Sequence, residues 1–194
     1  MTRVVVSGSH WVGKSKVIEG VAARIGKEQL RVISGIMRTL MAQGFGVGPS
    51  TNLNTITAYI ERQFSSEEEA FNEDVHVLSD RCLLDGIAYI SASMQIGENT
   101  YTWRDEELLL LRQIARRQLM MYDYVCYVPI EFPFSEGHLL HQLGSSYRDL
   151  VDNHLRRELL ASRATIVEIR GSVEQRVGQI LRLLKTKSVS KGEI

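Results

Sequence analysis

The run Gly8-Ser9-His10-Trp11-Val12-Gly13-Lys14-Ser15 has the spacing G-x-x-x-x-G-K-[ST]. Residue types in that order suit one piece of chemistry, the gripping of linked phosphates. Glycine lets the backbone turn sharply and bring several N–H groups around an anion, and a helix starting at the lysine adds the positive end of its dipole. Lys14 is placed to neutralise β- and γ-phosphate oxygens and Ser15 to ligate magnesium. The loop from Gly8 through Ser9, His10, Trp11, Val12 and Gly13 to Lys16 is thus the expected cradle of a nucleoside triphosphate, with ATP and Mg2+ the expected cofactors. A second cluster stands at Ser79-Asp80-Arg81. A carboxylate there can orient an acceptor hydroxyl, accept its proton late or hold magnesium, while an arginine can stabilise charge spread over a transferred phosphoryl group. Lys14, Asp80 and Arg81 are the expected catalytic residues, with Asp80 joining Ser15 at the metal. Asp85 is a candidate for magnesium or acceptor binding from the first turn of the following helix, where an acid also simply suits the helix dipole.

Two absences narrow the chemistry. A motor-type ATPase ends its second acidic strand in Asp-Glu, whose glutamate polarises water, and here the residue after Asp80 is an arginine. A GTPase would carry Asn-Lys-x-Asp to read guanine, and that tetrapeptide is missing. Transfer to an acceptor is better provided for than hydrolysis.

These residues must be positioned by regular elements, and the hydrophobic pattern supplies them. Val4-Val6, Leu30-Ile33, Val75-Leu78, Tyr124-Val128 and Ala164-Ile169 read as five strands. Helical spacing separates them: Val17 to Ile25 with Gly26 as stop, Ile36 to Met41, about Asn52 to Glu69, Leu84 to Met94, and Asp105 to Met121. The glycines from Gly44 to Gly48 predict a mobile loop. Alternation of this kind predicts a three-layer α/β fold, a mostly parallel five-stranded sheet with helices on both faces and ligands at the carboxyl ends of the strands. The phosphate loop, Asp80-Arg81, the segment after Pro129 and the Gly171-Ser172 turn all fall on that edge.

The chain has 194 residues, 44% of them hydrophobic, enough for one domain with its own core. Its 23 basic and 23 acidic side chains cancel, so no whole-molecule field favours a general nucleic-acid or membrane-surface binder. Cys82 and Cys126 are the only cysteines, and their apolar settings and wide separation predict buried thiols in place of zinc or a disulfide. No apolar run approaches the ~18 residues of a membrane span, and the first strand begins without a leader pattern. A cytoplasmic protein without membrane attachment is expected.

The combination GSHWVGKS, LSDRCLLDGIAYI, the Tyr-Asp-Tyr-Val strand with its proline, and IVEIRGSVEQRVGQI resembles the P-loop nucleoside and nucleotide kinases, with the AAA_28-like kinases that include the ribosylnicotinamide kinase domain the nearest in look. The family often has Asp-x-Asp at the end of the third strand, where this chain has Asp80-Arg81-Cys82. The resemblance implies acceptor contact from the second helix, making Arg38 a substrate-binding candidate, and places Gly171, Ser172 and Arg176 against the adenine. It also implies a helical lid over about residues 130–163. Arg148, Arg156 and Arg157 could reach phosphate from there, Arg148 being the preferred catalytic choice. Glu131-Phe132-Pro133-Phe134 brings aromatics able to stack on an acceptor base or to pin a loop. His138 and His141 lack a third ligand at metal spacing.

The expected reaction is ATP- and Mg-dependent phosphoryl transfer to a nucleoside-like small acceptor, with room left for a homodimer. One alternative is a kinase for a hydroxymethylated pyrimidine in DNA, since one basic strip suffices to hold a backbone. The other is a nucleotide-dependent regulatory ATPase.

Overall fold

The computed structural model describes residues 1–132 and 144–186. Five short runs centred on apolar residues form the strands β1 (Arg3–Ser7), β2 (Leu30–Ile33), β3 (His76–Asp80), β4 (Tyr124–Tyr127) and β5 (Ile166–Glu168). Every neighbouring pair is parallel, in the order β2-β3-β1-β4-β5. Parallel neighbours require crossovers, and helices supply them. They are α1 (Lys14–Ile25), α2 (Ile36–Ala42), α3 (Leu53–Phe71), α4 (Leu83–Gln95), α5 (Asp105–Leu119), α6 (Gly144–Ala161) and α7 (Val173–Thr186).

The period-2 alternation of the central strand divides the core. Val4 and Val6 pack with Val17 and Val21 of α1 and with Val177 and Ile180 of α7. Val5 points the other way, into a cluster with Leu84 and Ile87 of α4, Leu111 of α5 and Val151 and Leu155 of α6. The result is a three-layer α/β sandwich, its sheet buried on both faces as an all-parallel sheet must be. Gly26 ends α1, its N–H donating to the Ala22 carbonyl at 3.0 Å. The Asn52 side chain caps α3 by accepting from the Thr55 N–H at 3.0 Å. The Gly44–Pro49 stretch folds into a turn and a single 3-10 turn, Gly48–Ser50.

A buried polar cluster ties the sheet to the helical layer of α3 and α5. Glu67 of α3, 1% exposed, accepts at Oε1 from Gln63 at 2.6 Å, from Gln118 of α5 at 2.6 Å and from the Tyr122 hydroxyl at 2.7 Å. Gln63 also donates to Ser79 of β3 at 3.0 Å, so the cluster reaches the strand that ends at Asp80. Burial pushes the Glu67 carboxyl above its ordinary value, against the pull of its three donors.

The segment expected as a lid divides in two. Residues 133–143, with His138 and His141, lie outside the described residues. Residues 144–161 form α6, whose Tyr147, Val151, Leu155 and Leu159 at four-residue spacing are buried in the same core as α4. Cys82 and Cys126 are free and buried, and burial pushes the Cys126 thiol up to about 12. Among the described residues, no helix is long and apolar enough to cross a membrane.

Candidate active site

β1 delivers the phosphate loop, and backbone geometry shows why its glycines stand where they do. A Cβ on Gly8, at φ 152°, would lie 2.6 Å from the Val128 carbonyl oxygen at the end of the neighbouring strand. Gly13, at φ 89°, is the N-cap of α1. Trp11 also takes a left-handed conformation, φ 64°, with 37% of its surface exposed. Lys14 is buried, its Nζ donating to the carbonyls of Gly8 at 2.7 Å and Ser9 at 2.5 Å. Burial above all, and then the charge of Arg81, lowers its pKa to about 7.

Parallel pairing brings the second cluster to the loop. β1 and β3 are in register with Val6 opposite Asp80, so residues 74 apart in sequence end on one edge. The Oδ1 atom of Asp80 is buried with no hydrogen-bond partner among the described residues, an unbalanced position for a carboxylate oxygen. Arg81 turns the chain through φ 79°, and its N–H donates to the Val6 carbonyl at 2.9 Å. Its Nη1 donates to the Gly8 carbonyl at 3.0 Å and to Asp85 Oδ1 at 2.9 Å. Asp85 also accepts from the Ser7 hydroxyl at 2.7 Å, the Gly8 N–H at 3.2 Å and the Cys82 N–H at 3.0 Å. With 1% exposure, it is a keystone beneath the loop.

Above these groups opens a cleft of about 700 Å³. Lys14, Ser15, Asp80 and Arg81 line it at the strand ends. On the β2–β3 side its wall is Ile36, Met37, Arg38 and Tyr59; on the β4–β5 side Phe132 and Val173 line it, and Trp11 contributes from the loop. Lys16 and Arg38 are exposed cleft residues.

Several expected site residues therefore take different places. Asp85 faces inward and accepts from Arg81, Ser7, Gly8 and Cys82, so it holds the loop and does not line the cleft. Arg148 is 4% exposed; its Nη1 donates to the Phe132 carbonyl at 3.2 Å and its own carbonyl accepts from Ser9 Oγ at 3.0 Å. It braces the cleft wall and does not line the cleft, because the apolar stripe of α6 carries it into the core. Arg176 is fully buried under the loop, donating to the Val12 carbonyl at 2.5 Å and to Glu131 at 2.6 Å. The Gly171 N–H donates to Glu131 at 2.8 Å, while Ser172 Oγ accepts from the Gln175 N–H at 3.3 Å and so starts α7; Val173 is the residue of that turn that lines the cleft. Arg156 and Arg157 are on the exposed side of α6.

Sequence reasoning missed Tyr59 and Tyr89. Tyr89 bonds His10 of the loop at 3.0 Å and receives Arg81 Nη2 at 3.5 Å. Its position four after Asp85 puts the two on one helix face, which was the available signal.

A family model described as an AAA domain, AAA_28, matches residues 3–176. The chain belongs to that family. No curated protein matches the sequence. Among solved structures, NadR protein in complex with NR is 14% identical at a TM-score of 0.71, covering 95% of this chain and 51% of its own. Thymidylate kinase from Candida albicans is 14% identical at 0.67, covering 96% of this chain and 92% of its own. Deoxyadenosine kinase from M. mycoides with bound dATP is 12% identical at 0.65, covering 96% and 100%. At these identities the likeness is one of fold, and that fold is the one nucleoside and nucleotide kinases use.

Proposed function

We propose that this AAA_28 member is a kinase, transferring the γ-phosphoryl group of ATP to a hydroxyl or phosphate oxygen of a nucleoside-like small molecule. The observation that carries the reading is Asp80: a carboxylate with one buried oxygen unmatched among the described residues, on the edge that also holds Lys14 and Ser15, and followed in the chain by an arginine where a motor-type ATPase has the acid that activates water. Ser15 and Asp80 fit a magnesium ion, which takes few protein ligands and completes its shell with phosphate oxygens and water. Bound there, the ion would neutralise charge on the β- and γ-phosphates.

The chain's own residues supply the rest. Loop N–H groups and the start of α1 hold the phosphates, and Lys14 leaves the Gly8 and Ser9 carbonyls to pair with them. Arg81 adds a fixed positive charge on the acceptor side, held by Asp85 and Tyr89. Asp80 orients the acceptor hydroxyl and takes its proton as the new P–O bond forms and the bond to ADP breaks. Arg38, exposed on the β2–β3 wall of the cleft, contacts the acceptor. The exclusion of competing water falls to closure of the cleft around both substrates.

An ADP-release assay over nucleosides, nucleoside monophosphates and nicotinamide riboside tests the reading. Acceptor-dependent release by wild type, abolished in Lys14→Ala, is expected. Turnover that ignores every acceptor would refute transfer and leave the regulatory ATPase standing.

A further inference from the structure

The phosphate loop divides the cleft. Asp80, Arg81 and Arg38 lie on the β3–β2 side, so phosphoryl transfer is directed there, and the base of the donor nucleotide must extend over the β4–β5 side. Among the described residues, that side presents one aromatic ring to the cleft. Phe132 is 46% exposed and lines the cleft, while the Arg176 guanidinium sits 5.1 Å from its ring centroid.

Its backbone is clamped from two directions. The Phe132 carbonyl accepts from Arg148, and Glu131 just before it accepts from Arg176 and from the Gly171 N–H. Arg176 is in turn held by the Val12 carbonyl of the phosphate loop. An apolar ring left half open to water, yet with its backbone and the residue before it held by these three donors, has the form of a contact surface prepared in advance. A guanidinium already occupies the electrostatics of one face, so the free face is the one that can stack.

Resting on the kinase reading, we propose that Phe132, backed by Arg176, is the platform on which the donor base stacks. Glu131, Arg148 and Arg176 are positioning residues that set its angle. Stacking is tolerant of base identity because every base has a π-face, so Phe132 strengthens binding of ATP and GTP alike and contributes nothing to the phosphates.

Calorimetric titration of wild type, Phe132→Ala, Phe132→Leu and Phe132→Trp with ATP, GTP and inorganic tripolyphosphate tests this. Phe132→Ala is expected to weaken both nucleotides by roughly 5- to 150-fold, the range for loss of one aromatic stack. Tripolyphosphate should bind all four proteins equally, which also reports an intact loop. Phe132→Trp should retain nucleotide affinity, and Phe132→Leu should fall with Phe132→Ala. Equal losses for tripolyphosphate and nucleotides would make Phe132 a mere brace of Arg176 and overturn the proposal, as would full nucleotide affinity in Phe132→Ala. A wild type that binds none of the three ligands would instead overturn the kinase reading on which the platform rests.

Discussion

In the proposed kinase, Lys14 couples burial to function. Its ammonium, lowered to about 7 in the free protein, must be charged when it meets a polyphosphate, and that partner raises its pKa again. Below pH 7 the proton is already present, and binding takes none up. Above pH 7 binding must draw a proton from solvent, so affinity for MgATP should fall by up to about tenfold per pH unit. Calorimetry at pH 8.5 in two buffers of different ionisation enthalpy should show uptake approaching one proton, lost in Lys14→Met; pH-independent affinity across 7–9 would contradict the mechanism. Asp80→Asn keeps the shape of the side chain and removes its charge, and should cost about 10²-fold or more in kcat at unchanged fold. Arg81 combines a backbone effect with a side-chain effect. A left-handed non-glycine residue costs about 1–3 kcal/mol, so Arg81→Gly relieves strain while losing the contacts to Gly8 and Asp85. Arg81→Ala loses both contacts and keeps the strain, and should melt below Arg81→Gly by about 1 kcal/mol in equilibrium denaturation.

At the scale of elements, the apolar pattern located all five strands within two residues, because each is a short run with no competing helical period. The role of Asp85 was not legible in the same way. Locally it is an acid three residues into a helix, and only the pairing of β1 with β3 reveals that it lies beneath Ser7 and Gly8. Glu67 was hidden for a like reason, since Glu67, Glu68 and Glu69 are equivalent as a charged run. Burial separates them, by placing Gln118 and Tyr122 opposite the first. Glu67→Ala leaves three donors unmatched in the core and should cost about 3 kcal/mol or more. Glu67→Gln keeps one acceptor oxygen for all three donors and removes the buried charge, while its amide takes the place of Oε2, which has no partner among the described residues, so it should cost less than Glu67→Ala at pH 7. The pH dependence follows from the raised pKa. The folded protein binds the proton more readily, so wild-type stability carries no penalty at low pH and loses ground as pH rises from the unfolded carboxylate value through the folded one. That slope should vanish in Glu67→Gln, as read by urea denaturation at pH 4.5 and 7; an identical slope in both proteins would assign it to other groups.

For the molecule as a whole, the phosphate loop pointed to a triphosphate donor at once, whereas the proposed acceptor side consists of residues brought together only by the sheet: Arg38 from α2, Tyr59 from α3, Asp80 and Arg81 from β3 and its turn. No local pattern spans those elements, which is why the sequence left a small acceptor and a base in DNA both open. Whole-molecule charge now weighs between them. The 23 basic and 23 acidic groups cancel, and among the described residues the cleft offers two exposed cations, Lys16 in the phosphate loop and Arg38 on the wall with Ile36, Met37 and Tyr59, where a duplex backbone would need a row of them. A cleft of about 700 Å³ matches the size of small-molecule sites, about 300–1,000 Å³. The two acceptors differ in how they respond to salt. A protein holding six to ten DNA phosphates loses roughly 10³- to 10⁵-fold in affinity between 50 and 200 mM salt, because condensed counterions must be released on binding. A nucleoside-like acceptor displaces few such ions, so its KM should change by less than about threefold over that interval. Steady-state kinetics at the two salt concentrations, with a gel-shift titration of duplex DNA at the lower one, separate the cases. A flat KM with no retarded band is the expected outcome, and a steep salt-dependent KM with DNA retardation would move the acceptor from solution into DNA.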